Sequence, residues 1–338
     1  MVDVNNAKRV FKEYVSNYNL QDGKIALKVA HILRVSELSK KIATSLNLSE
    51  EDIKLAELIG LLHDIGRFEQ VRKYLEYTHD YEFLKNQLYD TLKRIIEEYI
   101  NGIDLDGNNI HLDNEDGLLS SGTPQIQNTW MDAKIGNIVV TPRNGKAIEI
   151  NALWYNALKI MESFANLYKE KELSKKYAEL AKKCKESFIK KFYNKKRKCF
   201  DDLVDDNSIR PNQLFAIGLH YPVVEPNSVE AKTAFETVTK KLLTPYGLKT
   251  LAKGEKCYRE IYEGDQIKRD MSYHQGITWT WLLGIYSDSF LNIISAEKNK
   301  TKKKELEEQY SKFAQNVEDT FYNEMYNRST VGSISELY

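Results

Sequence analysis

Two sets of residues have types and spacing that could do chemistry, and they suit different reactions. His63 and Asp64 are adjacent at the end of a predicted helix, and His31 lies on the predicted helix before it. Imidazole and carboxylate ligands together suit a hydrolytic divalent metal centre, because the metal lowers the pKa of bound water and holds a phosphate. This set predicts metal-dependent hydrolysis, with a helical fragment of no catalytic role as the alternative.

The second set contains two carboxylates, Asp132 and Glu336. Hydrolysis of a glycosidic bond uses two carboxyl groups, which an inverting enzyme holds roughly 6.5–9.5 Å apart with a water between them. Asp132 follows Trp130 and Met131, and a general acid keeps its proton best beside such apolar residues. Glu336 follows small residues and lies close to Tyr338, so we expect it to reach a water but to be poorly anchored.

Helices must position both sets, because apolar residues recur at spacings of three and four along most of the chain. The first predicted helices are a short one through Val10 and Tyr18, a longer one at Ile25–Leu46, and one from an N-cap at Ser49 to His63. Later predicted helices are Glu82–Asn101, Ala147–Lys169, Leu173–Phe192, Pro211–Leu219, Ser228–Leu243, Ser272–Ile294 and Lys303–Tyr322. Strand signals are few and short, so we expect an all-α fold in which long loops carry the polar and aromatic side chains.

One predicted loop is much longer than an ordinary connection. The stretch from Asp104 to Arg143 is rich in Asp, Asn and Gly and has little periodicity. Loops of this length are usually functional or disordered. Trp130 and the apolar run Ile138–Val140 within it favour an ordered loop.

Composition excludes several classes of partner. The 338 residues suffice for two domains or one large one. Lys+Arg and Asp+Glu are equal at 49 each, so no net charge favours nucleic acid or an anionic membrane. Three scattered cysteines fit a reducing compartment better than a disulfide framework. No signal-peptide pattern and no run of about 20 apolar residues occurs, so we expect a cytoplasmic protein.

The surroundings of the His-Asp pair resemble a known family. Residues 24–74, with the string Leu61–Phe68 and the earlier His31 and Arg34, resemble the N-terminal half of the HD-superfamily metal-dependent phosphohydrolases. The resemblance implies a divalent metal held by His31, His63 and Asp64. The further aspartate that this family uses has no counterpart, because the pattern ends near Tyr74.

The remainder of the chain resembles a second family over a much longer stretch. Residues from about Tyr74 to Tyr338 resemble the C-terminal amylo-α-1,6-glucosidase domain of glycogen debranching enzymes. The segments that carry the resemblance are Tyr77–Leu84, Asp116–Leu118, Thr129–Lys134, Val140–Lys146, Glu149–Leu158, Ile209–Gln213, Leu243–Leu248, Tyr262–Asp265, Arg269–Gly276 and Ser333–Glu336.

This second resemblance implies a fold, a reaction and roles for residues. The fold is an (α/α)6 toroid with the site in a central funnel, and the reaction is inverting hydrolysis of α-1,6-linked glucose at a trimmed glucan branch. Asp132 is implied as general acid and Glu336 as general base, with no cofactor. The implied polar residues of the funnel, which would bind glucose hydroxyls, are Arg143, Glu149, Asn151, Arg210, Asn212, Gln213, Asp265, His274 and Gln275. The implied stacking surfaces are Trp130, Trp154, Tyr155, Tyr262 and Trp279.

Other roles compete with these for individual residues. Each aromatic residue could instead belong to the helix core, and we expect this of about half of them. Arg210 and Glu149 could serve in structural ion pairs, and His274 could be a hydrogen-bonded core residue.

The two resemblances divide the chain into an HD-like helical fragment, residues 1–74, and a partial toroid, residues 75–338. The glucosidase family's toroid normally begins well before Tyr74 and continues after the base, so we expect an incomplete ring with reduced activity. Its exposed helix faces would favour self-association. The leading hypothesis is a debranching-type glycoside hydrolase acting on an α-glucan or oligosaccharide. The alternatives are a metal-dependent phosphohydrolase and a non-catalytic glucan-binding or degenerate chimeric protein.

Overall fold

A computed structural model describes residues 67–102, 109–328 and 334–338, together with residues 8, 9, 37, 40, 41, 44, 50 and 53. This part of the chain is mostly helical, as the apolar periodicity predicts, and none of its helices is long and apolar enough to cross a membrane. His31, His63 and Asp64 lie outside the described residues, so the predicted metal set stays a prediction.

The chain divides into two compact units, Met1–Ile95 and Ile96–Tyr338. The predicted domain boundary at residues 74/75 falls inside the first described helix, α1 (Arg67–Thr78). After it come α2 (Tyr81–Phe83), a π-helical turn (Leu84–Leu88) and α3 (Tyr89–Asn101), within which the units divide. These three elements confirm the amphipathic helix predicted at Glu82–Asn101.

An aspartate fixes the start of α2. The side chain of Asp80 accepts a hydrogen bond from the Phe83 backbone N–H at 2.9 Å, which satisfies a donor of the first helical turn. Its other carboxylate oxygen accepts a bond from the Tyr74 hydroxyl at 3.0 Å. Asp80 therefore holds the end of α1 and the start of α2 together.

The described part of the long predicted loop, residues 109–143, is ordered. It forms two small antiparallel hairpins, β1 (His111–Leu112) with β2 (Leu119–Ser120), and β3 (Lys134–Ile135) with β4 (Ile138–Val139). The Lys146 ammonium bonds Asp113 and Asp116 at 2.5 Å each and so closes the first hairpin against the end of the loop. The prediction of an ordered loop is confirmed for this described part.

Two long helices form the centre of the second unit. They are α4 (Ile148–Leu167) and α5 (Lys171–Phe192), which are joined by three residues and pack along each other. α4 is apolar over most of its circumference, and it is accordingly buried on nearly all sides. The helices predicted at Ala147–Lys169 and Leu173–Phe192 are confirmed to within two residues at each end.

Shorter helices and strands complete the second unit. In chain order they are β5 (Tyr193–Asn194), β6 (Cys199–Phe200), a 3-10 turn (Pro211–Leu214), α6 (Phe215–Gly218), α7 (Val229–Leu242), β7 (Leu243–Thr244), β8 (Gly247–Lys249), α8 (Gln266–Ser272), β9 (Thr278–Trp279), α9 (Leu282–Ala296) and α10 (Lys300–Asn327). β5 pairs with β6, and β8 lies between β7 and β9 in an antiparallel sheet. The arrangement of these helices as an (α/α)6 toroid stays a prediction.

The helix predicted at Ser272–Ile294 is wrong in its first half, where the chain turns and forms β9 before α9 begins at Leu282. Gly276 explains the break, because its φ of +142° suits glycine and a Cβ there would lie 2.3 Å from the Arg259 carbonyl oxygen. The backbone N–H of Arg259 also donates to the carbonyl of Gln275 at 2.6 Å. The turn that follows α8 is therefore fixed by close backbone contact.

Candidate active site

A buried cluster of charges underlies the residues of the second set. The Arg143 guanidinium bonds both carboxylate oxygens of Glu149, in the first turn of α4, and it bonds Asp202 at 2.7 and 3.0 Å. All three side chains are buried. Burial opposes the charge of Arg143, but the two carboxylates outweigh that cost and raise its pKa. Two bidentate pairs thus fix the loop before α4 to the loop after β6.

Asp202 extends this cluster toward a second buried arginine. It accepts a bond from the Asn212 amide at 2.8 Å, and one of its oxygens lies 3.6 Å from Nε of Arg210. The Arg210 guanidinium also donates to the carbonyls of Thr250 and His274, at 3.1 and 2.8 Å. Burial is the main cause that lowers the pKa of Arg210, and the charge of Arg143 lowers it further.

Amide side chains connect the cluster to the surrounding backbone. Gln275 accepts from Arg210 at 3.0 Å and donates to Val140 and Thr141, while Gln213 accepts from the Phe200 N–H at 3.1 Å. Asn151 exchanges two bonds with the backbone of Leu119. Buried amides of this kind specify one arrangement of the loops, because a buried amide that lost its hydrogen-bond partner would raise the free energy of the folded state.

The structure thus brings together most of the predicted polar residues, but it buries them. The buried members of the predicted set are Arg143, Glu149, Asn151, Arg210, Asn212, Gln213, His274 and Gln275. Glu149 is in a structural ion pair, and its partner is Arg143. Hydrogen bonds of these side chains hold the loops in place, except that the His274 ring is buried without a hydrogen-bond partner among the described residues. Their direct contact with glucose stays a prediction. Asp265 lies apart from them, where its exposed side chain caps α8.

Four aromatic rings pack against one another above this cluster. Trp130 lies edge-on to His274 and Trp279, with ring centroids 5.3 and 5.8 Å apart. His274 stacks on Trp279 at 5.3 Å and 16°, and Tyr273 contacts both rings within 5 Å. The Trp130 indole N–H donates to Asn212 at 2.9 Å, which ties this aromatic group to the buried charges.

His274 is uncharged in this environment. It is fully buried, and burial lowers its pKa to about 3, with further lowering by the positive charges of Arg210 and Arg143. Burial and the two nearby positive charges all oppose protonation of the ring. A neutral imidazole here serves as a flat packing partner for Trp279.

The other predicted aromatic residues have different surroundings. Trp154 is buried, donates to the Gly117 carbonyl at 3.2 Å and packs edge-on to Tyr99. Tyr155 is also buried, as is Trp279, so three of the five predicted stacking surfaces are core residues as they stand. Tyr262 is partly exposed and lies 5.7 Å from Tyr273. Trp130 and Tyr262 are therefore the two of the five that solvent reaches most.

The two candidate catalytic carboxylates are both exposed, which a group that meets substrate requires. The expectation that Glu336 is poorly anchored is wrong. The backbones of Tyr338 and Thr278 exchange hydrogen bonds of 2.9 and 3.0 Å, and Leu337 bridges to Trp279. The Tyr338 ring stacks on Tyr246 at 4.4 Å. These contacts hold the residues around Glu336 along β9.

Tyr273 links Glu336 to the aromatic group. Its hydroxyl donates to Glu336 at 3.5 Å, and its backbone carbonyl accepts from the Trp279 indole at 2.9 Å. Burial raises the pKa of Tyr273 to about 12, followed by the charges of Glu336 and Tyr262 and, further down, that of Asp132. Trp130 and Tyr273 both contact His274 and Trp279, so the segment that carries Asp132 and the hydroxyl that meets Glu336 lie at the same aromatic group.

Three residues of this site were not singled out by the sequence. Asp202 lies in a loop without periodicity, and its role depends on Arg143, which is distant in sequence, and on the nearer Arg210. Tyr273 lies in a string that carries the resemblance, which was its only signal. Trp281 is 46% exposed and packs edge-on to Trp130 at 5.0 Å. Its closeness in sequence to Trp279 was the only signal that could have indicated a role in the site.

Within the described ranges, no group of three or more His, Cys, Asp or Glu side chains could hold a metal ion. The site described above is therefore one of carboxylates, aromatic rings and buried hydrogen bonds.

A mostly helical scaffold with two exposed carboxylates beside an aromatic group is the arrangement of a glycosidase-type domain. The chain belongs to the amylo-alpha-1,6-glucosidase family, whose model matches residues 67–338. The match begins at the first residue of α1 and includes the whole candidate site.

Two known proteins are similar to parts of the chain. The glycogen debranching enzyme of Saccharomyces cerevisiae (strain ATCC 204508 / S288c) is 28% identical over 229 residues, which takes in 54% of this chain and 15% of the yeast protein. A solved structure titled sialidase superposes with a TM-score of 0.54 at 14% identity, over 77% of this chain and 22% of that one. The second likeness concerns the fold alone. This chain spans under a quarter of the length of either protein.

Proposed function

We propose that this chain is a glycoside hydrolase of the debranching type, which removes α-1,6-linked glucose from glucan branch points with inversion of configuration. The observation that carries the proposal is the exposure of Asp132 and Glu336 at one aromatic group, which contains Trp130 and Tyr273. Inverting glycoside hydrolysis uses two carboxyl groups that flank the scissile bond, one as the acid and one as the base.

Each carboxyl group has one task in this reaction. Asp132 donates its proton to the glycosidic oxygen as the bond from that oxygen to the anomeric carbon breaks. Glu336 accepts a proton from a water whose oxygen attacks the same carbon from the opposite face. The products are free glucose and a glucan that keeps the hydroxyl where the branch was. The reaction needs neither a metal nor an organic cofactor.

Buried hydrogen bonds support the position of the acid. Trp130 is held by Asn212, Asn212 by Asp202, and Asp202 by Arg143. Asp132 is two residues from Trp130, so this series of bonds fixes the backbone from which the acid projects. Such prior positioning matters because misplacement of a catalytic group by about 1 Å can cost roughly a hundredfold in rate.

The substrate class is proposed from the family. The family model is that of an α-1,6-glucosidase, and the yeast relative is named for glycogen debranching. We therefore propose a branched α-glucan as substrate, with an exposed surface at Asp132 and Glu336 where a polymer can approach.

The experiment measures glucose released by the full chain from a glycogen limit dextrin whose outer branches are trimmed to single glucosyl stubs. Asp132→Asn keeps the size of the side chain but removes the transferable proton. We expect it to lower kcat by at least about a hundredfold, the usual contribution of a general acid.

Asp205→Asn is the matched control, because Asp205 is an exposed aspartate in the turn between Leu203 and Asp206. We expect this variant to release glucose at the wild-type rate. Release of glucose by Asp132→Asn at the wild-type rate would show that the assignment of the acid is wrong. No release by the wild-type chain would remove the proposed function itself.

A further inference from the structure

Trp281 is the most exposed aromatic ring that contacts the candidate active site. Its side chain, at the N-terminus of α9, is 46% exposed, whereas the neighbouring Trp279 is buried. A single exposed apolar side chain is ordinary on a protein surface. What distinguishes Trp281 is that it lies edge-on to Trp130, which precedes the proposed acid Asp132 by two residues.

Phe215 extends the same aromatic surface. Its ring centroid lies 6.3 Å from that of Trp281, and Trp281 lies 5.0 Å from Trp130. Phe215 is partly exposed, at the start of α6. The three rings Trp130, Trp281 and Phe215 therefore form a connected row, and solvent reaches each of them at least in part.

The row has a fixed inner end. Trp130 donates to Asn212, whose own amide donates to the buried Asp202. The backbone of Trp281 is held by the first turn of α9, where its carbonyl accepts from the Gly284 N–H at 3.2 Å. The backbone of Trp281 and its neighbour Trp130 are thus both held in place. The exposed face of the Trp281 ring can therefore bind a ligand with little loss of side-chain entropy.

The position of the acid indicates which part of a substrate meets this row. A general acid protonates the leaving oxygen, so the chain attached to that oxygen departs past Asp132. Trp130 precedes Asp132 by two residues and contacts Trp281, so the row begins at the segment that carries the acid. Exposed aromatic rings bind the apolar C–H faces of pyranose rings through dispersion and burial, and their negative faces favour such partners.

We propose that Trp281, together with Phe215, forms a binding platform for a glucosyl unit of the leaving glucan chain, beyond the glucose that is released. The inference rests on the proposed function and adds a determinant of specificity to it. The platform would favour a branched chain over a substrate whose leaving group is one glucose.

The test compares two substrates for the full chain: isomaltose, whose leaving group is a single glucose, and a maltoheptaose that carries one α-1,6-glucosyl stub. We expect Trp281→Ala to lower kcat/KM about tenfold for the branched heptasaccharide, and less than twofold for isomaltose. Trp281→Phe keeps an aromatic face and should retain most of the preference. Leu291→Ala is the control, since Leu291 is 42% exposed on the same helix, about 15 Å further along, and should change neither value.

The outcomes separate the platform from the proposed function. An equal fall for both substrates, or no fall for either, overturns the platform while the hydrolase stands. A change in oligomeric state on Trp281→Ala, measured by sedimentation, with an unchanged substrate ratio also overturns it. If the wild type hydrolyses neither substrate, the proposed function fails. In that case, tryptophan fluorescence is measured while unbranched maltoheptaose is added to the wild type and to Trp281→Ala. The platform requires that the wild type binds this sugar and that Trp281→Ala does not.

Discussion

At the scale of single residues, the site combines exposed carboxylates with neighbours whose protonation is fixed by burial. The Tyr273 hydroxyl keeps its proton because its pKa is raised to about 12, so it remains a donor to Glu336 at any working pH. His274 remains neutral because its pKa is lowered to about 3. Neither group is suited to exchange protons with substrate, and both are suited to hold their neighbours.

His274 makes stability depend on pH in a definite direction. Its pKa in the folded state lies below the ordinary value of 6.5, so between pH 6.5 and about 3 the unfolded chain binds a proton that the folded chain does not. The contribution of this group to stability is therefore complete above pH 6.5 and falls as the pH is lowered. The loss is about 1.4 kcal/mol per pH unit within this window.

His274→Phe should remove this contribution while keeping a flat ring against Trp279. Between pH 7 and pH 5, we expect the free energy of unfolding of the wild type to fall by ~2 kcal/mol more than that of the variant. Urea unfolding at the two pH values measures this difference. Equal losses in the two proteins would show that His274 is charged, or is exposed, in the folded state.

At the scale of elements, the segment Ile334–Tyr338 is what makes Glu336 part of the site. Its backbone pairs with Thr278 and Trp279 in β9, and β9 pairs with β8. The stack of Tyr338 on Tyr246 adds a side-chain contact to this pairing. A small sheet within a helical scaffold therefore holds the proposed base.

Tyr246→Ala removes that stack and should loosen Glu336. We expect kcat to fall about tenfold with KM within about twofold, because positioning of the base affects the transition state more than substrate binding. Tyr246 also packs edge-on to Phe321 and accepts a hydrogen bond from Arg328, so the free energy of unfolding should fall by about 1–3 kcal/mol, as for two aromatic pairs. Tyr246→Phe keeps the ring and should retain wild-type kcat. A rise in KM without a change in kcat would be inconsistent with this role.

The helices were predictable because burial of one face leaves a periodic pattern, as in α3, α5 and α7. The interruption of the helix predicted at Ser272–Ile294 was not, because Gly276 is needed for a backbone contact with Arg259, which no local pattern reveals. Asp202 escaped prediction for the same reason, since its partners Arg143 and Asn212 come from other segments. Asp132 and Glu336 were identified from the segments that resemble the glucosidase family. The anchoring of Glu336 was not, because it depends on backbone pairing with β9, which only the folded chain shows.

At the scale of the whole molecule, the family match covers the second compact unit and the end of the first. The candidate site lies entirely within the second unit, among residues 130–338. The predicted reduction of activity in an incomplete ring stays a prediction, as does self-association. The described part contains a connected set of buried charges and aromatic rings, with the exposed Asp132 two residues from Trp130 and the exposed Glu336 in the segment that pairs with Trp279.

The anomeric form of the first glucose released is the most direct measurement of the central claim. Proton NMR during the first turnovers on a limit dextrin distinguishes the α and β anomers before they interconvert. We expect β-glucose from the wild-type chain, because one displacement by a water at Glu336 inverts the α linkage, and release at least about a hundredfold slower from Asp132→Asn. Release of α-glucose, or of β-glucose from Asp132→Asn at the wild-type rate, would contradict the central claim.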